Sequence, residues 1–387
     1  MGLIVKLGTA FLNLIFMFMK LLPVKKKITY ISRQMDSEPL DFVMVKEQMQ
    51  QDHPEYQHVI LAKMIHKGLG AKIGYVFHMF RQMYHIASSE AVILDTYCIP
   101  ISLLKQRKSL VVIQMWHALG AFKKFGLSIL DTKEGSSSKV AKLMHMHEHY
   151  TYVLTSSIAA APYFAEAFGY SKDRLKVYPL PKTDLLVSKS YHSAIVKEIE
   201  SVYPQLHDTD KQIIVYAPTF RKNKADDHLK EAIEALINVV DFDAYELVIK
   251  LHPLTKMDID DPRVIVDHQF SSLQFFHEAD VIITDYSAAL FEACMLRKPI
   301  YFYDFDYASY TKNRSFYIDY KANMPGPIRE NAEDLMACIN AQACKVKKVE
   351  NFVDLMVAPC KFSYTKDFTD FLYENLPHSS HDFTKLI

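Results

Sequence analysis

The stretch Thr284-Asp285-Tyr286-Ser287-Ala288-Ala289-Leu290-Phe291-Glu292 decides the fold of this chain. It follows the apolar run Val281-Ile282-Ile283, which predicts a buried parallel strand. It opens an apolar-faced segment from Ala288 to Leu296, which predicts a helix with Ser287 as its N-cap. A second strand, Pro299 to Tyr303, follows at once. The turn between the first strand and the helix therefore lies at the carboxyl edge of a parallel sheet, where α/β proteins bind ligands. The free backbone N–H groups at the start of the helix favour an anionic ligand. An ordinary capped crossover helix is the alternative.

Four further polar clusters follow predicted strands at the same kind of position. They are Trp116-His117 with Lys123 and Lys124, Tyr216-Ala217-Pro218-Thr219-Phe220-Arg221, Lys250-Leu251-His252-Pro253, and Asn313-Arg314-Ser315-Phe316-Tyr317 after Asp304 and Asp306. Together they supply two histidines, two arginines and several lysines. Side chains of this kind bind di- and triphosphates, so the clusters favour the anion site over the plain crossover helix.

Strand and helix signals alternate along the chain, which predicts an α/β fold. In the first half we expect strands at 28–31, 58–61, 91–94, 110–113, 152–155 and 175–178, and helices near 41–50 and 158–168. Pro179-Leu180-Pro181 then predicts a linker. In the second half, apolar residues recur at helical spacing between Leu229 and Val240, with strands at 213–217 and 246–251 on either side. Two successive βαβ sets predict two Rossmann-like domains with a central cleft.

Composition limits the class of protein. A chain of 387 residues, half of them hydrophobic, is long enough for two domains. Its 45 basic and 45 acidic residues balance, so no nucleic-acid partner is expected. The five cysteines form no CxxC pair and predict reduced thiols. His145, His147 and His149 fit surface or subunit-contact positions better than a metal site, because no further ligand recurs at metal-binding spacing.

The N-terminal segment from Leu3 to Leu22 is mostly apolar but is interrupted by Lys6, Asn13 and Lys20, and a basic cluster follows at Lys25 to Lys27. No small-residue cleavage site appears, so a signal peptide is not expected. A spanning helix needs about 20 residues with few charges, and the two lysines bracket a shorter apolar core. We therefore expect a helix in the membrane interface, with its lysines on anionic headgroups. A helix packed on the protein's own core is the alternative.

The polar clusters occur in an order that resembles one known family. Trp-His…Lys-Lys-x-Gly, Tyr-Ala-Pro-Thr-x-Arg, Lys-x-His-Pro, Thr-Asp-Tyr-Ser-x-x-x-Phe-Glu, Lys-Pro-x-x-Phe-Tyr and Arg-x-Phe-Tyr follow one another here as in the CDP-glycerol glycerophosphotransferases, the teichoic acid primases and polymerases of bacterial cell walls. The resemblance runs from about Lys27 to the C-terminal region. Three places differ: Ala118 and Ser315 stand where the family usually has glycine, and Pro181-Lys182-Thr183-Asp184 replaces Pro-Arg-Asn-Asp.

This resemblance implies a GT-B fold, in which the C-terminal domain binds the donor nucleotide and the N-terminal domain faces the acceptor. The expected organisation is a membrane-associating helix over 1–26, an N-terminal Rossmann-like acceptor domain over 27–185, a C-terminal Rossmann-like CDP-donor domain over 186–360, and a helix over 361–387 that packs back across the domains. No metal ion or cofactor is expected.

The resemblance also implies roles for single side chains. His117 is the expected general base on the acceptor hydroxyl, although a histidine at a strand end can instead be satisfied by a backbone carbonyl. His252 is the second expected catalytic histidine, at the donor phosphates or the leaving group. The expected ligands of the donor phosphates and nucleotide are Thr219, Arg221, Lys250, Asp285, Ser287, Ala288, Glu292 and Arg314. Of these, Asp285 is expected to orient its turn, and Glu292 to bind a ribose hydroxyl.

Lys123 and Lys124 are candidates for binding the acceptor, and a solvated loop is the alternative.

The predicted reaction moves glycerol phosphate or ribitol phosphate from CDP-glycerol or CDP-ribitol to a hydroxyl of a lipid-linked saccharide or growing teichoic-acid-like polymer, with release of CMP. The protein is expected to bind peripherally to the anionic cytoplasmic face of the bacterial membrane, and its oligomeric state stays open. A GT-B glycosyltransferase that uses a nucleotide sugar for cell-surface polysaccharide, and a catalytically silent binding subunit, are the other classes.

Overall fold

The computed structural model describes residues 2–207, 210–221, 225–255, 257–312 and 314–377. The chain divides into two compact units. The first comprises Met1–Ala118, Phe125–Lys182 and Ala358–Ile387, and the second comprises Leu119–Lys124 and Thr183–Val357. Each unit is built around one six-stranded sheet in which the paired strands are parallel. The predicted α/β class, with one parallel sheet in each half of the chain, is confirmed.

The first unit contains the first six strands of the chain. They are β1 (Lys27–Ser32), β2 (Gln57–Ala62), β3 (Ala91–Leu94), β4 (Val111–Gln114), β5 (Tyr152–Thr155) and β6 (Leu175–Val177). Their order across the sheet is β2-β1-β3-β4-β5-β6. Strands β1, β3 and β4 are buried along their whole length. Burial on both faces explains the apolar runs at 91–94 and 111–113, whereas β1 also buries the polar Lys27, Thr29 and Ser32. The carboxyl ends of β3 and β4 lie side by side, because Leu94 pairs with Gln114.

The second unit contains the other six strands. They are β7 (Gln212–Ala217), β8 (Tyr245–Ile249), β9 (Val264–Val266), β10 (Val281–Thr284), β11 (Ile300–Tyr303) and β12 (Ile328–Arg329). Their order is β12-β11-β10-β7-β8-β9. In this register Thr284 lies beside Ala217 on one side and beside Phe302 on the other. The loops that leave β7, β10 and β11 therefore start next to one another.

The helices connect and flank these strands. In the described residues they are α1 (Gly2–Met19), α2 (Leu40–Asp52), α3 (Leu69–Ala87), α4 (Ile99–Leu103), α5 (Ser138–Leu143), α6 (Ala161–Phe168), α7 (Thr183–Val187), α8 (Lys189–Val202), α9 (Ala225–Val239), α10 (Ser272–Phe275), α11 (Ala289–Met295), α12 (Tyr307–Tyr310), α13 (Tyr320–Asn323), α14 (Ala332–Asn340), α15 (Val346–Met356) and α16 (Tyr364–Glu374).

Helix α1 packs on its own unit along one face and leaves another face exposed. It contacts α3 and α5, and Phe16 is buried at 1% exposure, whereas Leu3 and Phe11 are 72% and 60% exposed. In the described part of the chain, no helix is both long and apolar enough to cross a membrane. The expected N-terminal helix is present, and its association with a membrane stays a prediction.

The C-terminal helix α16 packs on α2 of the first unit. Phe368 and Leu372 are fully buried, and the Tyr152 hydroxyl donates a hydrogen bond to Asn375 Oδ1 at 2.9 Å. The chain therefore returns to the first unit after the last helix of the second. The end of the predicted segment, 378–387, lies outside the described residues.

Candidate active site

The loops that leave β7, β10 and β11 in the second unit are tied together by Arg221. Its Nε and Nη2 donate to Asp306 at 2.7 and 3.0 Å, its Nη2 also donates to Asp285 at 2.9 Å, and its Nη1 donates to the Thr219 carbonyl at 2.8 Å. The Arg221 side chain is almost fully buried. Burial opposes its charge, but Asp285 and Asp306 outweigh that cost and hold the pKa of the guanidinium above its usual value.

Three aromatic rings enclose the same guanidinium. The rings of Tyr286, Phe305 and Tyr310 have their centroids 5.2–5.4 Å from its central carbon. Tyr286 and Tyr310 also stack on each other, with centroids 3.9 Å apart. The sequence predicted Arg221 as a phosphate ligand. In the structure every nitrogen of its guanidinium already donates to a protein oxygen, and that arrangement suits a positioning role.

Asp285 is the centre of this arrangement. It is fully buried and accepts hydrogen bonds from the backbone N–H of Thr219 at 2.9 Å, from the Thr219 hydroxyl and from Arg221. The turn after β10 thus fixes the loop after β7. Both Asp285 and Thr219, which the sequence assigned to donor binding, have protein partners here.

Lys250 makes a second buried ion pair, at the end of β8. Its Nζ donates to a carboxylate oxygen of Asp267, to the Phe270 carbonyl at 2.5 Å and to the Asp267 carbonyl at 3.2 Å. Burial lowers the pKa of Lys250, and Asp267 opposes that shift. Asp267 follows the three-residue strand β9, which was too short to be recognised in the sequence. Lys250, another predicted donor ligand, therefore anchors the loop after β9.

The turn from β10 into α11 differs by one residue from its prediction. Helix α11 begins at Ala289, and Ala288, which the sequence grouped with the donor ligands, is its N-cap instead of Ser287. The Ser287 hydroxyl still accepts a hydrogen bond from the Ala289 N–H at 3.2 Å. Glu292 lies partly buried in the first turn of α11. Arg314 follows α12, and its N–H donates to the Tyr310 carbonyl at 3.2 Å.

His252 is oriented by its own loop. Its Nδ1 accepts a hydrogen bond from the Leu254 N–H at 3.1 Å, and its ring lies 5.4 Å from that of Phe220. Because Nδ1 is an acceptor, the neutral ring carries its proton on Nε2. Burial and the nearby Lys123 ammonium lower the pKa of His252. His252 is thus a neutral imidazole whose Nε2–H can donate.

Lys123 and Lys124 lie in the segment 119–124, which belongs to the second unit. Lys123 Nζ is 3.4 Å from the Tyr310 hydroxyl, and Lys124 Nζ is 5.7 Å from the ring centroid of Tyr317. The sequence associated both lysines with the acceptor. The charges of Arg314, Asp285 and Arg221, which were predicted to bind the donor, act on the ammonium of Lys123.

His117 lies in the first unit, just after β4. Its Nδ1 lies 2.9 Å from the carbonyl oxygen of Asp95, so Nδ1–H donates and Nε2 keeps a lone pair. The Gln34 amide nitrogen lies 2.9 Å from Nδ1 and 3.3 Å from Nε2 of the same ring, so in this tautomer its N–H can donate to the lone pair on Nε2. Burial lowers the pKa of His117 to about 4, and Lys182 adds to that effect. The neighbouring Trp116 has a left-handed backbone with φ of 65°, which is strained for a bulky residue and marks the turn as a specialised one.

Sequence reasoning missed Asp95 and Gln34, which shape the surroundings of His117. Asp95 is buried directly after β3, and burial raises the pKa of its carboxyl to about 7. Both residues follow strands of the first sheet, as His117 does, so the carboxyl-edge rule that selected His117 would also have found them. Gln34 escaped notice because an amide carries no charge.

The histidines at 145–149 do not converge on one point. His145 Nδ1 pairs with Glu148 at 2.9 Å, His147 Nδ1 with the Tyr150 hydroxyl at 3.0 Å, and His149 Nδ1 lies 3.0 Å from the Ile101 carbonyl. His147 is buried, so the expectation of a surface position is wrong for it, because it packs against Phe168 with ring centroids 4.8 Å apart. Among the described residues, no three His, Cys, Asp or Glu side chains are grouped to hold a metal ion.

A sequence profile of the family described as CDP-Glycerol:Poly(glycerophosphate) glycerophosphotransferase matches residues 14–360. The chain belongs to this family. It is therefore a transferase of the teichoic acid phosphotransferase type.

Two primases of this glycerophosphotransferase family are similar over much of their length. The chain is 33% identical over 341 residues to the teichoic acid ribitol-phosphate primase of Bacillus spizizenii, covering 86% of this chain and 87% of the relative. It is 31% identical over 264 residues to the teichoic acid glycerol-phosphate primase of Bacillus subtilis, covering 67% of each. A poly(ribitol-phosphate) polymerase of Bacillus spizizenii is 28% identical over 90% of this chain, which spans 56% of that relative.

The fold of this glycerophosphotransferase is similar to a solved structure of the wall teichoic acid polymerase TagF. The TM-score is 0.75, with 98% of both chains covered at 19% identity. At that identity the likeness concerns the fold alone.

We predict that Arg221→Met destabilises the glycerophosphotransferase by about 3–5 kcal/mol, because the substitution leaves the buried Asp285 and the largely buried Asp306 as charges without their partner. Urea unfolding measures the change. Arg263→Met is the matched control, since it removes an exposed arginine–aspartate pair of the same unit, and it should leave the midpoint nearly unchanged. Unchanged stability of Arg221→Met together with weakened donor binding would make Arg221 a ligand instead of a positioning residue.

Proposed function

We propose that this enzyme transfers a polyol phosphate from CDP-glycerol or CDP-ribitol to a hydroxyl group of a lipid-linked saccharide or growing teichoic-acid-like polymer, and releases CMP. The observation that carries the proposal is the family match over residues 14–360. In this proposal the second unit binds the CDP-alcohol and the first receives the acceptor, as in a GT-B enzyme. The basic side chains of the second unit and the neutral imidazole of His117 support that division.

In the proposed reaction, the acceptor oxygen attacks the phosphorus that carries the polyol. A new oxygen–phosphorus bond forms, the bond from that phosphorus to the bridging oxygen breaks, and CMP leaves. The acceptor hydroxyl gives its proton to a base, for which His117 Nε2 is suited because Nδ1–H is held by the Asp95 carbonyl. The lowered pKa keeps His117 neutral at pH 7.

His252 is suited to the opposite task. Its Nδ1 is occupied by the Leu254 N–H, so its Nε2–H can donate to a phosphate oxygen of the donor. A donated hydrogen bond stabilises negative charge that develops on the departing CMP. The two histidines thus have complementary roles in the proposal, one accepting a proton and the other donating a hydrogen bond.

Nucleotide release tests the proposed function. Purified enzyme with a synthetic lipid-linked disaccharide should release CMP from CDP-ribitol or CDP-glycerol, and the acceptor should gain the mass of one or more polyol phosphates. CDP-ribitol is the first donor to test, because the ribitol-phosphate primase covers more of both chains than the glycerol-phosphate primase does. Release of UDP or GDP from a nucleotide sugar, with no CMP from either CDP-alcohol, would overturn the proposal.

The role of His117 makes a prediction about rate and pH. His117→Ala should lower kcat by roughly 10²–10⁴-fold, the usual contribution of a general base, with little change in the Kd for the CDP-alcohol. A base with a pKa of about 4 stays neutral as the pH falls from 7.5 to 5.5, so wild-type kcat should stay level there. An ordinary imidazole, with a pKa of about 6.5, would lose most of its base form over that range.

The control for His117→Ala is His66→Ala, which removes an exposed histidine of the same unit and should leave kcat unchanged. Wild-type turnover in His117→Ala would contradict the role as a base and would show that His117 is structural, through its hydrogen bond to the Asp95 carbonyl.

We also propose that the enzyme binds peripherally to the anionic cytoplasmic face of the membrane through α1. A groove of about 1210 Å³ runs along this helix. Its lining joins apolar residues of α1 and α5, such as Leu14, Met17 and Leu143, with five lysines and no acidic residue. Those lysines are Lys6, Lys20, Lys105, Lys139 and Lys142. An apolar surface ringed by lysines suits the boundary between lipid tails and anionic headgroups.

Exposed positions on α1 test this attachment without removing the helix. Phe11→Glu combined with Phe18→Glu places two charges on the exposed face, and this double variant should move much of the protein to the soluble fraction, with CDP-alcohol binding unchanged. Deleting residues 1–22 should do the same. Phe362→Glu, at an exposed phenylalanine far along the chain, is the control. An unchanged membrane-bound fraction would contradict attachment through α1, and resistance to carbonate extraction would contradict peripheral binding.

A further inference from the structure

The segment Leu119–Lys124 is built into the second unit, although the residues on both sides of it belong to the first. Two backbone hydrogen bonds hold it there. The Tyr317 N–H donates to the Phe122 carbonyl at 2.7 Å, and the Lys124 N–H donates to the Ser315 carbonyl at 2.8 Å. Lys123 sits between them in an antiparallel bridge with Phe316. Its backbone is therefore fixed against the loop that carries Arg314.

Packing fixes the same segment from its other side. Phe122 is 1% exposed, and its ring centroid lies 5.9–6.3 Å from those of Phe291, Phe316 and Tyr320. Gly120 approaches Phe291 so closely that an added Cβ would lie 2.6 Å from the ring. A residue with a side chain would push the segment away, so glycine is required for this close approach. The side chain of Lys123 thus projects from a rigid support.

The surroundings of the Lys123 ammonium are mostly positive. Its pKa is lowered to about 8 by burial and by Arg314, and Arg221 adds to the effect. Asp285 opposes the shift, but that carboxylate already pairs with Arg221. In the described part of the chain, the polar partner of Lys123 Nζ is the Tyr310 hydroxyl at 3.4 Å, and no carboxylate oxygen forms an ion pair with it.

Lys123 therefore differs from the other buried cations of this unit. Arg221 is neutralised by two carboxylates and Lys250 by one. A partly buried ammonium beside other cations, with no carboxylate ion pair among the described residues, is unfavourable unless an anionic ligand binds to it. The chain nevertheless fixes Lys123 there with a β-bridge, an aromatic cluster and a glycine. An anionic ligand that binds Lys123 would offset this unfavourable free energy.

We propose that Lys123 binds the diphosphate of the CDP-alcohol donor, in place of the acceptor role that its position in the sequence suggested. The inference rests on the proposed function, because that function supplies the diphosphate. The ammonium would contact a non-bridging phosphate oxygen and would share the negative charge that accumulates as CMP leaves. Tyr310, 3.4 Å away, orients the ammonium toward the ligand.

Donor affinity tests the role of Lys123 in the absence of acceptor. Lys123→Met should raise the Kd for CDP-glycerol or CDP-ribitol, measured by isothermal titration calorimetry, by about 10- to 100-fold, the usual range for a lost hydrogen bond to a charged group. Lys347→Met is the matched control, since it removes an exposed lysine of the same unit, and it should leave the Kd unchanged. A wild-type Kd in Lys123→Met, with a raised KM for the acceptor, would overturn the inference and restore the acceptor role.

The pH dependence of binding by the wild-type protein gives a second test. A bound diphosphate raises the pKa of Lys123 above its ligand-free value of about 8. The affinity is therefore fully present below pH 8 and falls as the pH rises above it, by up to about tenfold per pH unit. Wild-type Kd should rise between pH 7 and pH 9, and Lys123→Met should lose this dependence.

A Kd independent of pH in the wild type would overturn the inference. Failure of the proposed function is distinguishable, because wild-type protein would then bind neither CDP-alcohol at any pH. Binding by the wild type with no difference in Lys123→Met would overturn the role of Lys123 alone.

Discussion

The guanidinium of Arg221, held between Asp285 and Asp306, is the interaction on which the site in the second unit depends. Arg221 and Asp285 are buried and Asp306 is largely buried, so each charge would be costly without the others. They come from the loops after β7, β10 and β11, whose starts are already adjacent because the strands are paired in register. The sheet brings the loops together, and the ion pairs fix how they leave it. The positions of Ser287 and Tyr310 follow from that.

Two kinds of cation lie at this edge, and the sequence does not distinguish them. Arg221 and Lys250 occupy conspicuous motif positions, yet their charges are satisfied inside the protein. Lys123 lies in a less specific part of the pattern, and its polar partner among the described residues is the Tyr310 hydroxyl. Residue type and spacing report that a cation is present, whereas its availability to a ligand depends on acidic neighbours that come from distant parts of the chain. Asp306 and Asp267 decide this, and both lie outside the motifs that contain the cations.

The sequence predicted the strands well, because buried parallel strands are short apolar runs bounded by polar turns. It gave no indication of α3. In that helix the apolar Leu69 and Phe77 are exposed and the polar Gln82 is fully buried, so the hydropathy pattern does not mark the buried face. It missed β9 and β12, which have three and two residues. It also assigned the segment 119–124 by chain order to the first half of the chain. No local signal shows that Gly120 and Phe122 pack against Phe291 and Tyr320 and so make this segment part of the second unit.

The two candidate catalytic histidines show what local backbone chemistry adds to such motifs. His117 donates a hydrogen bond from Nδ1–H to a backbone carbonyl, and His252 accepts a hydrogen bond from a backbone N–H at Nδ1. The same residue type is thereby fixed in opposite tautomers, one with a lone pair on Nε2 and one with a proton there. Burial lowers the pKa of both rings, so neither needs a change of charge before reaction. Each tautomer is set by the backbone of its own unit, so both rings already have the protonation that the proposed reaction requires.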